Sequence, residues 1–150
     1  MPGTDLVLPG GGLVRASAAY HRSEDVPGRT WGLYMDPFWA PTWPSRMLPW
    51  ENMALPVDFD EAVEAIDEAY KIISDGGMVE VGCQGGIGRT GTVIACWAIR
   101  DGIVPSEAVQ WVRDTYILRA VETPIQEWWV EWYGAHVNGT TAPPRPRGSR

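Results

Sequence analysis

The sequence is poor in cysteine and histidine, with two of each among 150 residues. Cys83 and Cys96 are too few for a disulfide framework, and His21 and His136 are isolated, so no metal-ligand spacing is present. No apolar run reaches the ~20 residues that a membrane-spanning helix needs. Met1-Pro2-Gly3-Thr4-Asp5 lacks a charged-then-apolar leader pattern. The chain therefore reads as reduced and cytoplasmic; a monomer is the expectation, and the sequence itself leaves the oligomeric state open. Basic stripes interleaved with aromatics are missing too, which excludes a nucleic-acid binder of the usual kind. The formal net charge is −7, and without the three arginines of residues 139–150 the remainder stands near −10. A body so acidic repels nucleic acid and anionic membranes at long range. An anionic substrate would need a strong local receptor.

The chain is long enough to bury a core without metal or disulfide staples, so residues 1–138 are expected to form one domain. Residues 139–150, Gly-Thr-Thr-Ala-Pro-Pro-Arg-Pro-Arg-Gly-Ser-Arg, read as a disordered tail. Leu6-Val7-Leu8 and Leu13-Val14-Arg15-Ala16 flank a glycine run and predict a hairpin, and Trp31–Met35 predicts a further strand. Residues 36–57 carry five prolines and no sustained period, which predicts a long loop of the kind that is usually functional. Val63, Ile66, Tyr70 and Ile73 then recur at helical spacing behind Asp58 or Asp60 as cap, and Gly76-Gly77 closes that helix. Met78–Val81 is a short apolar strand. Thr90–Arg100 reads as a buried helix, and Ser106 and Thr123 as caps of two more, the latter with Pro124 at the first position. The expected class is α/β, a small central sheet flanked by helices.

The chemistry concentrates where the strand enters its helix: Gly82-Cys83-Gln84-Gly85-Gly86-Ile87-Gly88-Arg89-Thr90-Gly91. A tight turn of small residues can aim successive N–H groups inward as an anion nest. The helix N-terminus adds partial positive charge at the same place. Arg89 brings a planar fork suited to bidentate phosphate binding. Cys83 lies at the mouth of this concavity, which favours thiolate, the nucleophilic form. Thr90 can donate its hydroxyl to the sulfur. Gln84, Gly85, Gly86, Ile87, Gly88 and Arg89 are the expected phosphate-binding residues. Two other phosphate loops share this physics. Gly86-x-Gly88-x-x-Gly91 spells a dinucleotide fingerprint, but position 111 is Trp where an acidic residue is wanted. A P-loop nucleotide-binding reading needs glycine at 83 and lysine at 89. Only a phosphatase reading gives Cys83 a task.

The segment from Cys83 to Gly91 resembles the signature loop of the protein tyrosine phosphatases, Cys-x5-Arg-Ser/Thr. It is closest in kind to the version Cys-Ser-Ala-Gly-Ile-Gly-Arg-Thr-Gly, while the chain's length resembles the compact dual-specificity members. The resemblance covers roughly residues 45–135. It implies attack by Cys83 on phosphorus, a phosphocysteine intermediate, no metal or organic cofactor, and a phosphorylated protein or peptide as substrate. Phosphotyrosine is the first expectation, with phosphoserine and phosphothreonine if the pocket is shallow. The loop holds no lysine, so phosphoinositides and small phosphate esters come next. Gly82 departs from the pattern, because the family usually has there a histidine that orients the loop and tunes the thiol.

The same resemblance raises the question of the general acid. The family's Trp-Pro-Asp-x-x-x-Pro loop corresponds to Trp50-Glu51-Asn52-Met53-Ala54-Leu55-Pro56, so an amide occupies the aspartate slot. Glu51 is the first candidate for the acid and Asp58 the second; running without one is the third alternative. Glu122-Thr123-Pro124-Ile125-Gln126 resembles the Gln-Thr-x-x-Gln loop, which gives Gln126 a water-positioning role and leaves Glu122 in place of the first glutamine. With Gly82 and Asn52 both departing, a pseudophosphatase that binds phosphorylated ligands without turnover is the competing reading. Trp39, Trp43 and Trp50 are read as core packing, with a wall of the substrate pocket as the alternative. Cys96, two turns beyond Arg89, is read as core.

Overall fold

The computed structural model of the chain describes residues 3–36 and 41–147. Trp39 falls outside them, so its expected packing role is not addressed. Five strands form one sheet: β1 (Thr4–Val7), β2 (Leu13–Ala18), β3 (Arg29–Tyr34), β4 (Ser45–Met47) and β5 (Met78–Cys83). Their order across the sheet is β1-β2-β5-β3-β4. The glycine-rich turn makes β1 and β2 an antiparallel hairpin, as the sequence predicts. β2, β5, β3 and β4 pair in parallel. β5 is therefore central, and the strand that ends on Cys83 is paired on both sides.

Four helices follow the chemistry-bearing pattern: α1 (Phe59–Ser74), α2 (Gly88–Arg100), α3 (Pro105–Thr115) and α4 (Pro124–Asn138). Asp58 caps α1 by accepting from Glu61 N at 3.0 Å. Thr123 caps α4 by accepting from Gln126 N at 3.3 Å. The period of two along the strands divides the sheet into unlike faces. Val14, Ala16, Leu33, Val79 and Val81 are buried in one core with Ala62, Ile66, Val93, Ile94 and Trp97 of α1 and α2. The opposite face is ionic: Arg15 and Arg29 flank the fully buried Glu80 at 3.4 and 3.2 Å, Tyr34 donates to the same carboxylate, and the Arg29 guanidinium lies 3.5 Å from the Trp43 ring centroid. A buried carboxylate is tolerable only when paired in this way.

The α/β expectation holds, with three local corrections. α2 starts at Gly88, ahead of Thr90, because the turn itself winds into the helix. α3 starts at Pro105, whose fixed φ suits the first helical position, so Ser106 sits inside the first turn and caps nothing. The proline-rich stretch 36–57 contains β4, a three-residue edge strand too short to show a period. Residues 139–147 follow α4 closely: Trp128 Nε1 donates to Pro143 O at 2.7 Å, and the Arg145 guanidinium lies 5.2 Å from the Trp128 ring. Among the described residues no helix is long and apolar enough to cross a membrane.

Candidate active site

β5 delivers Cys83, and α2 begins five residues later. Between them the loop's carbonyls are held away from its concave side. Cys83 O accepts from Arg22 Nη2 at 3.2 Å, Gln84 O from Ala19 N at 3.1 Å, Gly86 O from the Tyr116 hydroxyl, and Ile87 O from Gly91 N at 2.8 Å. The amides of residues 84–89 donate to no acceptor among the described residues. A row of carbonyls tied outward with a row of amides left over is the electrical signature of an anion cradle.

Cys83, Gln84, Gly85, Ile87 and Arg89 line a cavity of about 330 Å³ together with Asn52 and Glu122. Thr90 Oγ1 donates to Cys83 Sγ at 3.1 Å. Arg89 is only 3% exposed, and its Nη1 donates to Met35 O at 2.9 Å and Trp50 O at 2.8 Å. Its Nε is buried without an acceptor among the described residues. One edge of the guanidinium is thus anchored while the other keeps donors to spare, the disposition needed to grip two phosphate oxygens. Burial, and then the neighbouring Cys83, push the Tyr116 hydroxyl up to about 12, so it stays a neutral donor to the loop.

The comparisons with known proteins agree with this geometry. The family model described as polymorphic toxin system, DSP-PTPase phosphatase, matches residues 42–103. The uncharacterized protein MJECL20 of Methanocaldococcus jannaschii is 36% identical over 111 residues, 66% of this chain and 72% of that one. Tyrosine-protein phosphatase cdc-14 of Caenorhabditis elegans is 47% identical over 38 residues, 25% of this chain and 5% of that one. The crystal structure of kinase associated phosphatase superposes with a TM-score of 0.73 at 16% identity, covering 94% of this chain and 99% of that one. The chain belongs to the protein tyrosine phosphatase superfamily.

Membership makes the departures informative. Gly82 stands where the superfamily usually has histidine, and the room is already taken. A Cβ there would collide with Arg22 Nη2 and lie 2.8 Å from Ser17 O and Ser17 Oγ. Arg22 reaches this place from the segment after β2, pairs with Asp36, and stacks 4.4 Å from the Tyr34 ring centroid. It holds the carbonyl of Cys83 itself, while Asp36 follows Met35, whose carbonyl anchors Arg89. One buried ion pair so braces both ends of the phosphate loop. Nothing local marks Arg22 in the sequence; the missing histidine is the only hint that another side chain fills the gap.

The loop before the cup keeps its frame and changes its contents. Trp50 is 3% exposed, pairs with Pro56 through a backbone bridge, donates its Nε1 to Ala54 O at 2.8 Å, and packs 5.5 Å from Trp129. Trp50 is thus core, and Trp43 covers the ionic face of the sheet. Asn52 lines the cup; Glu51 lines a neighbouring cavity with Met53, Leu55, Val57 and Arg145. Asp58 is engaged as the cap of α1. Gln126 is fully buried: its Oε1 accepts from Glu122 N at 3.0 Å and its Nε2 donates to Ala54 O at 3.4 Å. It ties the two loops together beneath the cup. Cys96 is buried in the core, where burial and then Asp67 push its thiol well up.

Proposed function

We propose that the protein hydrolyses phosphotyrosine monoesters in proteins or peptides through a phosphocysteine formed on Cys83. The single observation that carries this reading is the shared cavity of Cys83 and Arg89, with Arg89 Nε lacking an acceptor and the amides of residues 84–89 lacking theirs. Cys83 thiolate attacks phosphorus in line with the ester oxygen. Arg89 and the loop amides hold the equatorial oxygens, stabilising charge that moves onto them in the transition state. Thr90 donates to the sulfur and favours it as thiolate when it attacks and again when water releases it. The neutral side chains of residues 84–88 favour a lone phosphotyrosine over a polyphosphorylated inositide, whose neighbouring phosphates would want further cations. Phosphoserine and phosphothreonine peptides are the substrates to compare next.

The test is hydrolysis of p-nitrophenyl phosphate and of a phosphotyrosine peptide by wild type and Cys83→Ser. Turnover of both by wild type, lost in the serine variant, supports the proposal. Binding of the phosphopeptide by wild type without turnover would replace it with the competing reading, a reader of phosphate; Asn52 in the usual acid's place is the feature favouring that outcome.

A further inference from the structure

Among the described residues, the cup's lining contains a single carboxyl group, and it belongs to Glu122. We infer that Glu122 is the general acid and base of the reaction, in place of the aspartate that the loop 50–56 lacks. The inference rests on the phosphatase reading above and adds to it a residue and a role.

Several independent features aim this side chain. Glu122 follows Val121, a β-branched residue in the left-handed region with φ 61°. Such a conformation is costly for valine and persists only where the surroundings impose it. Here they do: Arg113 donates to Ala120 O at 2.8 Å and to Val121 O at 2.7 Å, and Gln126 Oε1 accepts from Glu122 N at 3.0 Å. The turn is pressed onto α2, since a Cβ on Gly91 would lie 2.7 Å from the Ala120 Cβ and 3.0 Å from Val121 N. One helical turn earlier, a Cβ on Gly88 would lie 3.0 Å from Glu122 Cγ, 3.1 Å from its Cδ, and would collide with Oε1. Two glycines on one side of α2 thus admit the strained turn and its carboxylate to the edge of the cup.

Glu51, by contrast, faces the neighbouring cavity, and its loop is fastened. Ala54 O accepts from Trp50 Nε1 and Gln126 Nε2, and Met53 O accepts from Thr123 Oγ1 at 3.5 Å. These bonds hold the loop as it stands, with Glu51 outside the cup's lining and Glu122 within it.

The steps balance as follows. In the first, Cys83 sulfur bonds to phosphorus, the phosphorus–ester oxygen bond breaks, and the departing oxygen takes the proton of the Glu122 carboxyl. In the second, water oxygen bonds to phosphorus, the phosphorus–sulfur bond breaks, and the water's proton goes to the Glu122 carboxylate. Phosphate leaves, and thiolate and carboxyl are restored.

The experiment compares wild type, Glu122→Gln, Glu51→Gln and Cys83→Ser on p-nitrophenyl phosphate, whose leaving group needs little help, and phenyl phosphate, whose leaving group needs a proton. Glu122→Gln is expected to lose about 10²-fold or more in kcat/KM, which reports formation of the phosphocysteine alone, on phenyl phosphate and less than about tenfold on the nitrophenyl ester. Glu51→Gln is expected to lose less, and equally on both. A structural role for Glu122 would lower both esters alike, which overturns the inference, as would leaving-group dependence in Glu51→Gln alone. If wild type turns over neither ester, or Cys83→Ser matches wild type, the phosphatase reading itself falls.

Discussion

The two loops that meet at the cup, residues 83–89 and 50–56, have kept different things. The first retains its chemistry: a cysteine, an arginine with donors to spare, and amides facing a common cavity. The second retains its architecture, with Trp50 buried and bridged to Pro56, while the position facing the cup holds the amide of Asn52. The difference teaches that a loop's frame and its reactive group are separable. Trp50 and Pro56 serve packing and close the turn whether or not an acid sits between them. In the reading proposed here the phosphate loop has no such separation, since its backbone would itself bind the phosphate and every side chain in it must permit that backbone.

Five substitutions break or sharpen this contrast. The largest effect belongs to Arg89→Lys, which keeps the charge but loses the fork and the anchors to Met35 O and Trp50 O. It should lower kcat by about 10²–10³-fold, read as steady-state kinetics on p-nitrophenyl phosphate. Next comes Gly82→His, which restores the residue the superfamily usually has. Here it collides with Arg22 and Ser17, so thermal unfolding should show a loss of about 1–3 kcal/mol. Arg22→Ala in the same chain should make the histidine less harmful than it is alone, so the double change should cost less than the sum of the two single changes.

Gln126→Ala tests the tie between the loops. It leaves Glu122 N and Ala54 O without that partner and should cost about 1–3 kcal/mol of stability. A water-positioning role would instead slow release of phosphate from Cys83 while leaving the melting temperature in place. The smallest effect is alkaline. The Tyr116 hydroxyl is raised from its ordinary value near 10 to about 12 in the fold, so below pH 10 folded and unfolded chains both hold the proton. Above that the unfolded chain loses it first, and stability should fall as pH rises from about 10 through 12. Tyr116→Phe should make the fall shallower, as followed by denaturation across that range.

Much of this was legible in the sequence, and for physical reasons. The Cys83-to-Gly91 loop could be read because anion binding by backbone constrains nearly every position at fixed spacing. Helices α1 and α4 could be read from their period and their caps, Asp58 and Thr123, whereas α3 opens at Pro105, ahead of the expected cap Ser106. Glu122, Arg22 and the strained Val121 could not, because each acts through contacts distant in sequence: Glu122 with Gly88, Arg22 with Cys83, and Val121 with Arg113. The sequence also showed two departures, Asn52 for an acid and Glu122 for an amide, as separate blemishes. Only the fold places both at one cavity, the juxtaposition from which the exchange of roles is proposed.

The central claim is that Cys83 carries the phosphoryl group. The most direct measurement is intact-mass and peptide mapping of wild type quenched in acid during turnover of p-nitrophenyl phosphate, beside Cys83→Ser. The account predicts one phosphoryl group per chain, on Cys83, that disappears when substrate is exhausted. Turnover that continues in Cys83→Ser, or a phosphoryl group found on another residue, would contradict it.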